Sequence, residues 1–365
     1  MDRMLLGRRD FLKGAGALYL ASLGTHARAG VEDADALFAA AFQRKSGGHG
    51  VAIMGENGLP IHLVDLPDRG HDIVFDRVSR RSVVFARQPG AFALVFSHEA
   101  KTEPLLIASR PDRHFFGHGA FSPDGRILWA TENDFDAAQG MIGVYDVQAG
   151  FKRVGEFPTG GIGPHECLLM PDGMTLAVAN GGIETHPDYG REELNLSTMQ
   201  PSLVFIDTAR GQILEKHILK PDLHQLSIRH MDLDADGTLW FGCQHRGPLS
   251  ERPALVGRAV RGKDLDLIDL PEDALLNLRN YVGSVAVNRK TGTVAVSSPQ
   301  GNSWLEIDAA TGRLKAQRTV TEVCGLAPDR DGFLATTGMG AVLKPDGGEA
   351  DLPDYAWDNH ILRIG

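Results

Sequence analysis

Short apolar runs joined by Asp-Gly or Thr-Gly turns recur along the chain, in a phrase that opens on His or Gly, crosses one apolar strand, turns, and enters a second. It reads His118-Gly-Ala-Phe-Ser-Pro-Asp124-Gly125-Arg-Ile-Leu-Trp-Ala130, then His165-Glu-Cys-Leu-Leu-Met-Pro-Asp172-Gly173-Met-Thr-Leu-Ala-Val-Ala179, then His230-Met-Asp-Leu-Asp-Ala-Asp236-Gly237-Thr-Leu-Trp-Phe-Gly242. Weaker copies begin at Gly283 and Cys324, and an earlier one at His71, where Ile73 to Phe75 and Ser82 to Ala86 are the two strands without a glycine turn. Asp-Gly between apolar runs is a strong hairpin signal, because both residues tolerate the positive φ of a tight turn. A third strand follows in the better copies, as in Ile142 to Asp146 or Leu203 to Asp207, and then a fourth, Val154 to Phe157 or Ile213 to Ile218. Each unit is therefore a four-stranded meander.

Spacing selects the architecture. His71, His118 and His165 lie 47 residues apart, and His230 follows after 65 with an insertion. Repeats of roughly 40–50 residues, four strands each, are the signature of β-propeller blades. The ends supply one more blade: Gly50 to Met54 and Leu59 to Asp65 resemble third and fourth strands, and Asn359 to Ile364 can serve as the first. The expected fold is an all-β, seven-bladed propeller in one domain, residues 30–365, closed by N- and C-terminal strands. The insertion from about Gly181 to Gln200 is expected to be a loop across one face, and Asp33 to Lys45 a short amphipathic helix or tail.

The first 29 residues stand apart: Arg8-Arg9-Asp10-Phe11-Leu12-Lys13, a glycine-diluted apolar run to Gly24, and Ala27-Arg28-Ala29 together read as a twin-arginine export signal. The usual Ser or Thr before the arginine pair is Gly7. Without this leader, which carries five basic and two acidic residues, the net charge moves from −10 to −13, against nucleic acid or an anionic membrane as partners. No later segment reaches the roughly 18 uninterrupted apolar residues of a spanning helix, so a soluble periplasmic protein is expected. The three cysteines, Cys167, Cys243 and Cys324, have no CxxC spacing and allow at most one disulfide. Export after folding suits a protein that acquires a metal or cofactor before it leaves the cytoplasm.

In a propeller the first strand of each blade lines the axis. Four repeat starts carry histidine there, His71, His118, His165 and His230, and the closing strand offers His360. Imidazoles projecting from separate strands toward one axis can hold iron, copper or zinc with no local motif. The competing explanation is a shared structural histidine that caps or packs the inner strands. Eight residues after each turn aspartate stand Glu132, Asn180 and Gln244, expected to orient the histidines or, for Glu132, to join them. Glu166 and Asp232 lie on the inner strands at other registers and rank lower, and Cys167 and Cys324 read as buried packing. Arg69 and Arg229, beside His71 and His230, are candidate anion contacts. His186, with Glu184 and Asp188, reads as an exposed turn in the long loop. No G-x-S-x-G, H-E-x-x-H, P-loop or C-x-x-C-H occurs, which removes the common hydrolase and c-type haem signatures.

The phrases Arg69-Gly-His71, Phe116-Gly-His-Gly-Ala-Phe-Ser-Pro-Asp-Gly125, Gly161-Ile-Gly-Pro-His-Glu166, Ala179-Asn-Gly-Gly-Ile-Glu-Thr-His-Pro-Asp188, Leu194-Asn-Leu-Ser-Thr-Met-Gln-Pro-Ser-Leu203 and Ser227-Ile-Arg-His230 resemble an uncharacterised family of twin-arginine-exported bacterial propellers. Its members are often encoded beside imelysin-type iron-uptake proteins and a di-haem thiol-oxidoreductase-like protein. The resemblance covers nearly all of the mature chain and implies a periplasmic role near iron acquisition or metal handling, with imelysin-type or other iron-uptake proteins as partners. It assigns no reaction and no ligand.

The expectation is a transition metal, iron favoured and copper the competitor, held by His71, His118, His165, His230 and His360 and serving acquisition or redox handling. Any turnover would be oxidation of the metal or of a small substrate. The rival is a metal-free propeller that acts as an interaction platform for a transport system. A hydrolytic, lactonase-like propeller would instead need a carboxylate-rich calcium site, which a histidine-dominated ring disfavours.

Overall fold

The computed structural model describes residues 36–97 and 103–364. The expected export leader, residues 1–29, lies outside them, and so do Asp33 to Asp35 of the expected helix or tail. The described residues form seven four-stranded antiparallel sheets. Six are consecutive meanders; in the first blade the last strand of the chain, Tyr355–Arg363, is innermost, beside Leu37–Arg44, His49–Gly55 and Pro60–Leu66. The other innermost strands, from the second blade to the seventh, are Gly70–Phe75, Arg113–Phe121, Pro164–Leu169, Leu226–Leu233, Ser284–Asn288 and Val323–Asp329. Each packs against the next, and Tyr355–Arg363 packs against both Val323–Asp329 and Gly70–Phe75, which closes the ring.

Burial is greatest in the middle of each blade and least on its outermost strand. Second strands such as Leu239–His245 are buried at every position, because neighbouring blades cover both faces. Outermost strands such as Lys152–Pro158 alternate between exposed and half-buried positions. The core is thus a set of apolar layers between blades, the largest of which runs from Ala177 and Phe205 through Trp240 and Phe241 to Val294 and Leu305. The Asp-Gly turns form as expected: Gly173 has φ 70°, and Asp172 accepts hydrogen bonds from the amides of Met174 and Thr175 and the Thr175 hydroxyl.

Two elements differ from expectation. Leu37–Arg44 is a strand, where a helix or tail is expected. Its Ala39-Ala40-Ala41 run favours a helix in isolation, but Leu37 to Phe42 are buried on both faces, and small side chains fit the gap between the first blade and its neighbours. A two-turn helix, Glu272–Leu278, joins the fifth and sixth blades and buries Ala274 and Leu278; nothing in the sequence reading marks it. The insertion from Gly181 is a loop with two single-turn helices, Pro187–Tyr189 and Leu196–Thr198. Asn195 braces it through the Glu184 amide and the Gly182 carbonyl, and the Thr185 carbonyl accepts from Asn133 of the third blade. No helix among the described residues is long and apolar enough to cross a membrane.

Ring closure depends on the contact of the two chain ends. Trp357, 2% exposed, packs edge-on against Phe42 and Tyr355 and donates from its indole to the Gly340 carbonyl. Trp357→Ala is expected to cost about 3–5 kcal/mol in chemical denaturation; a loss below about 1 kcal/mol would show that the closing strand does not hold the ring.

Candidate metal centre

A regular strand directs its side chains to the two faces of its sheet, which in a propeller means toward the neighbouring blades. Reaching the axis requires a break in the pairing. Six innermost strands have one, and in five of them the break carries a histidine. The register shifts between Gly70 and Ile73, Phe115 and Gly119, Pro164 and Glu166, and Ile228 and Met231, so His71, His118, His165 and His230 are supernumerary residues of β-bulges. In the closing strand the shift opposite Ala40 and Phe42 frees Asp358, Asn359 and His360. Bulges re-aim side chains in this way beside functional sites. The seventh blade has the bulge, between Val323 and Leu326, but carries Cys324 and Gly325 there; the sixth pairs regularly.

The five rings meet at one point. Ring centroids lie 4.6 Å apart for His71 and His360, 4.7 Å for His118 and His360, 4.7 Å for His230 and His360, 4.7 Å for His165 and His230, and 4.9 Å for His118 and His165. Two triads, His71–His118–His165 and His118–His230–His360, each bring three nitrogens within 4.8 Å of one another. Three nitrogens spread evenly at about 2.1 Å from one metal are about 3.4–3.6 Å apart, so a triad would draw together around an ion. Both ring nitrogens of His118, Nε2 of His165 and His360, and Nδ1 of His230 are buried without a hydrogen-bond partner. An orphaned buried polar atom costs about 1–3 kcal/mol, and a bound cation would use those lone pairs.

Four of the imidazoles are held in the neutral form a metal needs. Burial pushes the pKa of His71 down to about 4 even though Asp358 pulls it upward. Burial, reinforced by mutual repulsion among the rings, holds His165, His230 and His360 well below the usual histidine value. All four are neutral at pH 7. Carboxylates stand behind the rings: Asp358 at 2.7 Å from His71 Nδ1, Asp72 at 3.2 Å from His118 Nδ1 and 4.0 Å from His360 Nδ1, and Glu166 at 3.6 Å from His230 Nδ1. A carboxylate beside Nδ1 favours the proton there and leaves the lone pair on Nε2. Only the Asp358–His71 contact is an aligned hydrogen bond; His118 Nδ1 and His230 Nδ1 make none. Asp358 would be driven upward by burial, but Arg87, His71 and Arg69 outweigh it and keep the carboxylate ionised. His165 differs, since its Nδ1 faces the Arg229 guanidinium at 3.4 Å.

The five histidines expected to converge do so, whereas the residues expected behind them do not. Glu132 accepts from Tyr145 and Arg153 on the outer strands of its own blade. Asn180 donates to the Thr159 carbonyl and Ser202 hydroxyl, and Gln244 to the Val282 carbonyl. All three are themselves paired residues of second strands, and their bonds run to neighbouring strands and connections rather than to the histidines. Asp232 bonds the Val287 amide of the next blade. The supporting carboxylates are instead Asp72, Glu166 and Asp358, beside or two residues from a histidine and turned inward by the same bulges. Arg69 is committed to Asp358 at 2.7 Å, while Arg229 donates to Ser227. The three cysteines are buried and free, and burial raises the Cys324 thiol to about 12.

Residues 64–364 match a family model described as "Protein of unknown function (DUF1513)". No curated protein matches the sequence. Among solved structures, a chain of hydrazine synthase from Kuenenia stuttgartiensis is similar at 15% identity and a TM-score of 0.46, over 80% of this chain and 96% of that one. A likeness that distant carries no argument about chemistry.

Unfolded histidines take up protons near pH 6.5, but His71 does so in the folded protein only near pH 4, and His165, His230 and His360 are shifted in the same direction. Between those values the unfolded state binds more protons, so stability rises with pH and is lost as pH falls. The metal-free protein is therefore expected to lose thermal stability steadily from pH 7 to pH 4.5; an unchanged melting temperature across that range would mean that the rings are not buried as neutral groups.

Proposed function

The chain therefore belongs to the DUF1513 family, and we propose that it is a periplasmic metal-binding propeller whose five axial imidazoles hold a first-row transition ion for acquisition or redox handling. One observation carries the reading: buried imidazoles from five blades meet at a point where several of their nitrogens have no hydrogen-bond partner in the protein. A histidine kept only for packing would have its polar atoms satisfied.

Imidazole nitrogen suits copper, iron and zinc alike. Glu132, the oxygen ligand that would favour iron, is engaged elsewhere. Copper(II) is accordingly expected to bind the isolated protein more tightly than iron(II), as the divalent affinity order requires. Iron remains the proposed cargo, because selection in a cell follows metal availability, and a twin-arginine leader exports a chain that has already folded around its ion. Imelysin-type or other periplasmic iron-uptake proteins are the proposed partners, on the resemblance alone.

Protein exported from its native host is expected to carry about one transition ion per chain by elemental analysis. His118 belongs to both triads, so His118→Ala, and separately His360→Ala, should each lower the metal content by about tenfold or more. Retention of the ion in both variants rules the site out. Replacing Arg8 and Arg9 by lysine should leave the full 365-residue chain unprocessed in the cytoplasm, and appearance of the mature form outside it would count against the proposed route.

A further inference from the structure

A cavity of about 50 Å³, open to one side, lies beside the histidines, lined by His165, Arg229, Arg191, Glu193, Phe116 and Ile183. Its charge is unbalanced. Glu193, the acidic residue of the lining, is taken by Arg246 at 2.6 Å. Arg191 makes no hydrogen bond or ion pair among the described residues, and Arg229 reaches only the Ser227 hydroxyl at 3.2 Å and His165 at 3.4 Å, never a carboxylate. Burial brings the Arg229 guanidinium down to about 10, and burial together with Arg87 and Arg69 lowers that of Arg191. Two guanidinium groups without counter-ions thus share a pocket with a buried imidazole whose Nε2 is unpartnered. Phe116 and Ile183, both nearly fully buried, give the same pocket an apolar wall.

We infer that this pocket binds a small organic carboxylate, its anionic group on Arg229 and Arg191 and its hydrocarbon part against Phe116 and Ile183, beside the ion held by the histidines. Arginine matches a carboxylate through paired N–H donors. An inorganic oxyanion would satisfy the arginines but leave the apolar wall unused, which favours a ligand with a carbon chain. His165 lines the pocket and belongs to one of the triads, so it links the two sites and the anion would sit beside the ion. This step rests on the metal reading for its second contact, while the arginine contact stands without it.

Calorimetric titration of butyrate into the exported protein, metal-loaded and metal-free, tests the inference. Butyrate is expected to bind both forms, more tightly when the ion is present, with Arg229→Gln and Arg191→Gln each weakening it by about tenfold or more. Inorganic phosphate and uncharged butyramide should each bind at least about tenfold more weakly than butyrate. Butyrate affinity unchanged in both variants, or equalled by phosphate or by butyramide, overturns the inference. Metal content measured in every sample separates the two claims. Wild-type protein that never retains an ion refutes the metal site, and arginine-dependent butyrate binding would survive that result. Equal butyrate affinity with and without a retained ion refutes the link between pocket and metal.

Discussion

The geometry of this protein depends on the way a strand faces the axis of a propeller. Backbone pairing commits every regular residue to one blade face or the other, so the axis can be furnished only where pairing is interrupted. Five bulges do this, in the five contiguous blades that carry His360, His71, His118, His165 and His230. The interruption forfeits ladder hydrogen bonds in the strands around the axis, a cost that packing alone would not favour. The sixth blade, which pairs without a break, shows that the ring can be built otherwise.

Crowding five bases together would be untenable if they were charged. Burial keeps His71, His165, His230 and His360 neutral, and carboxylates are set behind the rings, on Asp72, Glu166 and Asp358. Asp358 is the most constrained of these, receiving Arg69, Arg87, His71 and the Asn359 amide at once. The result is an electron-rich centre with a cationic fringe, in which Arg191 and Arg229 are the members left without a carboxylate.

The blade pattern was legible because turn chemistry repeats: Asp124-Gly125, Asp172-Gly173 and Asp236-Gly237 mark the same corner in three blades, and histidine precedes each at a similar distance. The second strand of the first blade was not, since Leu37 to Arg44 owes its conformation to neighbours distant in sequence and has no alternation of its own. Counting along regular strands led to Glu132, Asn180 and Gln244 and away from Asp72 and Asp358. An inserted residue shifts every inference of facing beyond it, and a bulge leaves no composition signal. The useful sign was adjacency: His71-Asp72, His165-Glu166 and Asp358-Asn359-His360 put an acid next to or near the imidazole in three of the five bulges.

The closing strand has a consequence for when the centre comes into being. Tyr355–Arg363 follows the strands of the other six blades in the sequence, and it brings His360 together with the Asp358 that steadies His71. A ribosome-bound or truncated chain can assemble at most part of the imidazole set. Completion of the ring and completion of the imidazole cluster are thus one event, which makes the assembled cluster a record that all seven blades have been made and folded.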